Sequence, residues 1–143
     1  MNIGIANDHR GFELKQKITN FLKEKGYNII DYGTNSSESV DYPTYAFKVG
    51  EAVRDGKISL GILICGTGIG MSIACNKVKK VRCSKVNSVD EAVLTRQHNN
   101  ANVIALSEDV ENALEIVEAF ITNDFSGEEK HLRRVEMISN YDN

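Results

Sequence analysis

The chain has 143 residues, 41% of them hydrophobic, and a formal net charge of −3. That size and composition fit one ordinary globular domain and exclude a disordered chain. No long basic run occurs, which argues against nucleic acid and against an anionic membrane surface as partners.

Cys65, Cys75 and Cys83 are odd in number and form no C-x-x-C, so neither a disulfide framework nor a paired zinc knuckle is expected. His9, His98 and His131 are scattered, without metal-ligand spacing. The free thiols point to a reducing, cytoplasmic setting. No charged segment followed by an apolar core opens the sequence, so no secretory leader is expected. No apolar run approaches the ~18 residues of a membrane span.

In chain order, Ile3-Gly4-Ile5-Ala6 reads as a first strand. Residues 11–25 follow as a helix, with Leu14, Ile18, Phe21 and Leu22 on one face and Gly26 as the stop. A second strand is expected over 27–31 and a polar loop over 34–39. Pro43 then sits in the first turn of a helix striped by Ala46, Val49 and Val53, and Gly56 ends it. Leu60–Cys65 is nearly continuous apolar sequence, the pattern of a central strand buried on both faces. A glycine-rich turn leads into a short helix over 71–77. Strands over 81–86 and 102–106 flank a helix striped by Val89, Ala92 and Val93. A long helix carries Val110, Ala113, Leu114, Val117, Phe120 and Ile121. A last helix, 128–139, has Leu132, Val135 and Ile138 on one side and cations on the other.

Strands alternating with helices imply a parallel sheet covered on both faces. The expected fold is a single α/β domain over 1–143, Rossmann-like, with a five-stranded parallel sheet flanked by helices and an extra C-terminal helix. In such sheets ligands bind beyond the carboxyl ends of the strands, at a topological switch point. The rule selects Asn7-Asp8-His9-Arg10, the run Cys65-Gly66-Thr67-Gly68-Ile69-Gly70, and the segments after strands four and five.

In that run a strand ends at a thiol and three alternate glycines open a helix. Glycines admit a ligand close to the backbone and turn successive N–H groups toward it, as an oxyanion would need. The thiolate form of Cys65 would be the useful base; the plainer alternative is a buried structural cysteine before a tight turn. The run is neither the G-x-G-x-x-G of a dinucleotide fold after a first strand nor a P-loop. Asp8 and His9 follow the first strand and share the edge with Cys65, where they could bond hydroxyls or shuttle protons; an Asx turn and a surface histidine are the alternative. His98-Asn99 falls at the amino edge, out of reach of Cys65 within one subunit, unless a symmetric dimer brings it to a neighbour's site. Lys130, Arg133 and Arg134 cluster on the last helix, as a phosphate monoester would suit or as a solvated basic face would show.

With these residues laid out, the chain resembles the ribose-5-phosphate isomerase B family, which includes galactose-6-phosphate isomerase subunits. The matching segments run nearly end to end: Asp8-His9-x-Gly11-Phe12-x-Leu14-Lys15, Asp41-Tyr42-Pro43, Ile62-Leu63-Ile64-Cys65-Gly66-Thr67-Gly68-Ile69-Gly70-Met71-Ser72, Asn76-Lys77, Arg96-x-His98-Asn99 and Arg134-Val135-Glu136. The resemblance implies an aldose–ketose isomerase that interconverts ribose 5-phosphate and ribulose 5-phosphate without metal or organic cofactor. By the same resemblance Cys65 moves a proton between C2 and C1. Thr67 and the backbone of Gly66, Gly68, Ile69 and Gly70 hold the enediolate oxygens. His98 assists ring opening from the partner subunit. Asp8, His9, Tyr42 and Asn99 position the sugar, and Lys130, His131 and Arg134 hold the phosphate. A homodimer or a dimer of dimers, with shared sites, is implied as well.

The chain departs from the family pattern in three places. Lys130 stands for an arginine, Asp109 for an arginine that helps bind phosphate, and residues 87–91 lack a His-Asp-x-Tyr pattern. These changes leave two alternatives beside the pentose reading. One is isomerisation of a hexose 6-phosphate of allose or galactose type; the other is a non-catalytic sugar-phosphate-binding paralogue.

Overall fold

The computed structural model describes residues 1–142. Strands and helices alternate as β1 (Asn2–Asn7), α1 (Phe12–Glu24), β2 (Asn28–Asp31), α2 (Tyr42–Arg54), β3 (Leu60–Cys65), α3 (Ile69–Cys75), β4 (Cys83–Lys85), α4 (Val89–Gln97), β5 (Val103–Ser107), α5 (Ala113–Thr122) and α6 (Glu129–Asn140). A short 3-10 turn, His9–Gly11, joins β1 to α1. All strand pairs are parallel, in the order β2-β1-β3-β5-β4. The five parallel strands and flanking helices are those expected from the alternating pattern. The order of the last two strands is the reverse of the flavodoxin-type order, because β5 enters between β3 and the edge strand β4. Among the described residues no helix is long and apolar enough to cross a membrane.

Every residue of β3 is buried. Its side chains alternate between the two faces, as a pleated strand requires. Leu60, Ile62 and Ile64 join Ile3, Ile5, Ile18, Ile104 and Phe120 in the core beneath α1 and α5. Leu63 and Cys65 join Ala46, Val49, Met71 and Ala105 in the core beneath α2 and α3. Burying each of the large aliphatic side chains contributes about 1.5–3 kcal/mol. The chain reverses direction across the sheet between β1 and β3, so the carboxyl ends of those two strands border the switch-point crevice.

Three differences from the expected elements bear on the site. The third helix starts at Ile69 rather than 71, because Gly68 in a left-handed conformation turns the chain straight into it. The fourth strand shrinks from 81–86 to Cys83–Lys85; as an edge strand it pairs with β5 alone. Helix α6 buries only Val135, and its Leu132 and Ile138 remain 41% and 53% exposed, so most of its apolar stripe finds no cover within this chain.

The loop between β2 and α2 is pinned by a buried cation. Lys15 is 1% exposed. Its ammonium donates to Asp31 Oδ1 at 3.2 Å, to the Thr34 carbonyl at 2.7 Å and to Asn35 Oδ1 at 2.8 Å, which uses all three of its protons. Lys15→Met should therefore lower the unfolding free energy by about 1–3 kcal/mol, since it leaves the buried Thr34 carbonyl without its donor. Urea unfolding measures this, and a loss under about 1 kcal/mol would contradict the pinning role.

Candidate active site

The pleat of β3 turns the Cys65 side chain toward α2 and α3, where an open cavity of about 450 Å³ lies. Cys65 is 5% exposed, and its sulfur accepts the Gly68 backbone N–H at 3.1 Å. Gly68 must be glycine on two counts. Its φ is +80°, and a Cβ there would stand 2.9 Å from the carbonyl carbon of Leu106. Thr67 folds its hydroxyl back to accept the Ile69 N–H at 3.2 Å. The Tyr42 ring lies on Gly70, where a Cβ would meet it at 2.5 Å.

The cavity is lined by Asp8, Arg10, Tyr42, Cys65, Gly66, Thr67, Ile69, Gly70 and Ile73. Of the expected residues, Asp8, Tyr42, Gly66, Thr67, Ile69 and Gly70 are thus gathered around one thiol. Asp8 makes the anticipated Asx turn: Oδ1 accepts the N–H groups of Arg10 at 3.0 Å and Gly11 at 3.2 Å. Asp8 Oδ2 keeps no protein partner among the described residues, so the turn and a ligand contact are compatible. His9 is not among the residues that line the cavity; its Nδ1 accepts the Val40 N–H at 3.3 Å and holds the loop before α2.

The remaining candidates form a second group. His98 caps the C-terminus of α4, at the amino edge of the sheet, and its ring stacks on that of His131 with centroids 4.2 Å apart and planes at 11°. Asn99 is exposed beside it, and Lys130 and Arg134 are exposed on α6. None of these lines the Cys65 cavity. Loss of hydration lowers the pKa of His131 below its ordinary value, and the neighbouring His98 and Lys130 lower it further.

One charged residue outside the expected site set stands in the cavity. Arg10 lines the cavity and is clamped by Glu108, with Nη2–Oε1 at 2.6 Å and Nε–Oε2 at 3.2 Å. Its place directly after Asp8-His9 was the available signal. Residues 87–91, where the family pattern is missing, instead start α4: Ser88 Oγ accepts the Glu91 N–H, and Glu91 accepts the Asn87 N–H. Asp109 accepts the Ser107 hydroxyl at 2.6 Å, and that bond holds its carboxyl below the usual carboxylate range.

A thiol under a backbone N–H, a carboxylate and a glycine turn around one cavity at the carboxyl edge of a parallel sheet suit an α/β enzyme for acid–base work on a small polar molecule. Residues 3–138 match the model of the Ribose/Galactose Isomerase family. The chain is 45% identical to ribose-5-phosphate isomerase B of Escherichia coli, over 96% of this chain and 93% of that protein. A structure of Clostridium thermocellum ribose-5-phosphate isomerase B superposes with a TM-score of 0.95 at 46% identity, covering 99% and 97% of the two chains. The Mycoplasma genitalium ribose-5-phosphate isomerase B structure with bound ribulose-5-phosphate gives 0.92 at 43% identity, covering 98% and 95%. The chain belongs to the ribose/galactose isomerase family, and its class is that of the sugar-phosphate aldose–ketose isomerases.

The lowered pKa of His131 sets the sign of a pH effect. The unfolded chain takes up the proton near the ordinary value of about 6.5, whereas the folded chain resists it until lower pH. Stability present above pH 6.5 should therefore be lost as pH falls through and below it. Denaturant unfolding between pH 7.5 and 5 measures the slope, and His131→Asn should flatten it. An equal slope in the variant would show that other groups carry it.

Proposed function

We propose that this enzyme interconverts ribose 5-phosphate and ribulose 5-phosphate through an enediolate, with Cys65 as the base. The observation that carries this reading is the thiol of Cys65 under the Gly68 N–H, facing a cavity large enough for a pentose phosphate. The relatives named ribose-5-phosphate isomerase B support the choice of substrate.

The chemistry runs in three stages. The furanose ring opens first: the anomeric hydroxyl gives up its proton, the bond from C1 to the ring oxygen breaks and the ring oxygen takes up a proton, a transfer assisted by His98 of a second copy. The Cys65 thiolate then takes the proton from C2 of the open aldose, and the electron pair passes toward O1 as the enediolate forms. The backbone of the Gly66–Gly70 turn and the Thr67 hydroxyl, which accepts the Ile69 N–H and keeps its own proton to donate, are assigned to the oxygens where this charge develops. Transfer of the O2 proton to O1 and return of the carbon-bound proton from Cys65 to C1 complete the ketose. Asp8, His9, Tyr42 and Asn99 are assigned to the hydroxyls, and Lys130, His131 and Arg134 to the phosphate.

That assignment needs two copies of the chain, since His98 and the α6 cations lie away from the Cys65 cavity of their own chain. The apolar residues left on the surface support such an assembly. Ile73 on the cavity rim is 66% exposed, and Leu132, Met137 and Ile138 on α6 are 41%, 67% and 53% exposed. We accordingly infer a homodimer, or a dimer of dimers, with shared sites. A thiol base also requires the reduced state, in keeping with a cytoplasmic location.

Two outcomes test the mechanism. The purified protein should form ketose from ribose 5-phosphate, and Cys65→Ala should cut turnover by about 10³-fold or more without moving the unfolding midpoint appreciably. Near-native turnover in the variant would refute the base assignment; a wild type active only on hexose 6-phosphates would replace the substrate. His98→Ala should reduce turnover of the cyclic sugar by about 10²-fold and that of an open-chain analogue far less. Equal losses on both would contradict the ring-opening role.

A further inference from the structure

The cavity beside Cys65 contains a single cation among its lining residues, Arg10, for which the mechanism above has no use. Its guanidinium is aimed by an unusual division of its bonds. Glu108, 98 residues away in sequence, takes the Nε–Nη2 edge in a two-point ion pair. That leaves Nη1 with no protein partner among the described residues. The two terminal nitrogens together present a second fork, the geometry that carboxylate and phosphate oxygens match.

The position of that free end is fixed by Gly66. A Cβ on residue 66 would stand 2.7 Å from Nη1 and 3.0 Å from Cζ, so the guanidinium lies flat across the glycine turn that follows Cys65. The side chain is 57% exposed even with Glu108 in place, so its outer face is open to a ligand. The other nearby acids are engaged in part within their own turns. Asp8 Oδ1 is spent on two backbone N–H groups, and Asp109 accepts the Ser107 hydroxyl. Glu108 neutralises part of the charge of Arg10, but in exchange it holds a long flexible side chain in one place.

We propose that Arg10 is a substrate-binding residue that grips the phosphate of the sugar phosphate through its Nη1–Nη2 edge, with Glu108 as the positioning residue that holds it over Gly66. This rests on the sugar-phosphate reading and adds to it a phosphate contact from the same chain as the thiol. The cations of α6 then approach the phosphate from the second copy. Because the phosphate leaves and enters the reaction unchanged, Arg10 holds it equally in the ground and transition states.

The experiment compares wild type, Arg10→Ala, Arg10→Lys and Glu108→Gln in two measurements. The first is binding of inorganic phosphate by calorimetry, which needs no turnover. The second is the steady-state kinetics of ribose 5-phosphate isomerisation. Arg10→Ala should weaken phosphate binding and raise KM by about tenfold each, with kcat within about threefold. Arg10→Lys should recover part of the loss, since a lysine keeps the charge without the fork. Glu108→Gln should fall between wild type and Arg10→Ala, because it removes the clamp and keeps the cation. Unchanged phosphate affinity and KM in Arg10→Ala would overturn the proposal, and so would a fall in kcat alone. If the wild type binds phosphate through Arg10 yet turns over no sugar phosphate, the functional reading fails and the anion site stands.

Discussion

The site depends on the pleat of one strand. β3 is buried at all six positions, so nothing in its composition distinguishes its two faces by polarity. What separates them is period-two alternation together with the size of the partners. The face that holds Leu60, Ile62 and Ile64 meets the bulky side chains of α1 and α5. The face that holds Gly61, Leu63 and Cys65 meets α2 and α3, where small residues let the helices come close. A Cβ on Gly61 would stand 2.5 Å from Val49. A slip of one residue would exchange the faces and bury the thiol beneath α1 and α5, away from Tyr42 and the glycine turn.

From that strand outward, the edge of the sheet is shaped by polar groups that serve structure first. Asp8 closes the turn after β1 with one oxygen and retains the other for the cavity. Lys15, sealed from water, ties Asp31, Thr34 and Asn35 together, which settles the approach to Asp41-Tyr42 at the head of α2. His9 holds the following segment through Val40. A buried lysine is costly to disturb here because the buried Thr34 carbonyl would be left without its donor. The cavity is accordingly set on a rigid rim rather than on free loops.

The two edges of the sheet hold different chemistry. The carboxyl edge has the thiol, a carboxylate, a guanidinium and the loop N–H groups. The amino edge has the His98–His131 stack and, above it, the cations of α6. A parallel sheet cannot bring its two edges together within one chain, since they lie a strand's length apart. The apolar residues exposed on α6 and α3 give the physical reason to look for a second copy, which would cover them and supply what the first edge lacks.

Much of this was legible in the sequence. The 3.6- and 2-residue periods located the strands and helices, the unbroken run Leu60–Cys65 marked the central strand, and the placement of Asp8 and the glycine turn after their strands put them at one edge with Cys65. These features are local, written within a dozen residues. Four others were not legible. The insertion of β5 inside β4 depends on which strand ends compete for an edge. The Arg10–Glu108 clamp joins residues 98 apart. The complete burial of Lys15 follows from three acceptors that meet only after α1 packs on β2. The bare stripe of α6 looks in sequence like any helix face awaiting a core. The sequence by itself determined the class of fold and the chemistry gathered beside Cys65. The tertiary structure alone decided strand order, the aim of Arg10 and the stacking of His98 on His131, because each depends on where distant segments meet.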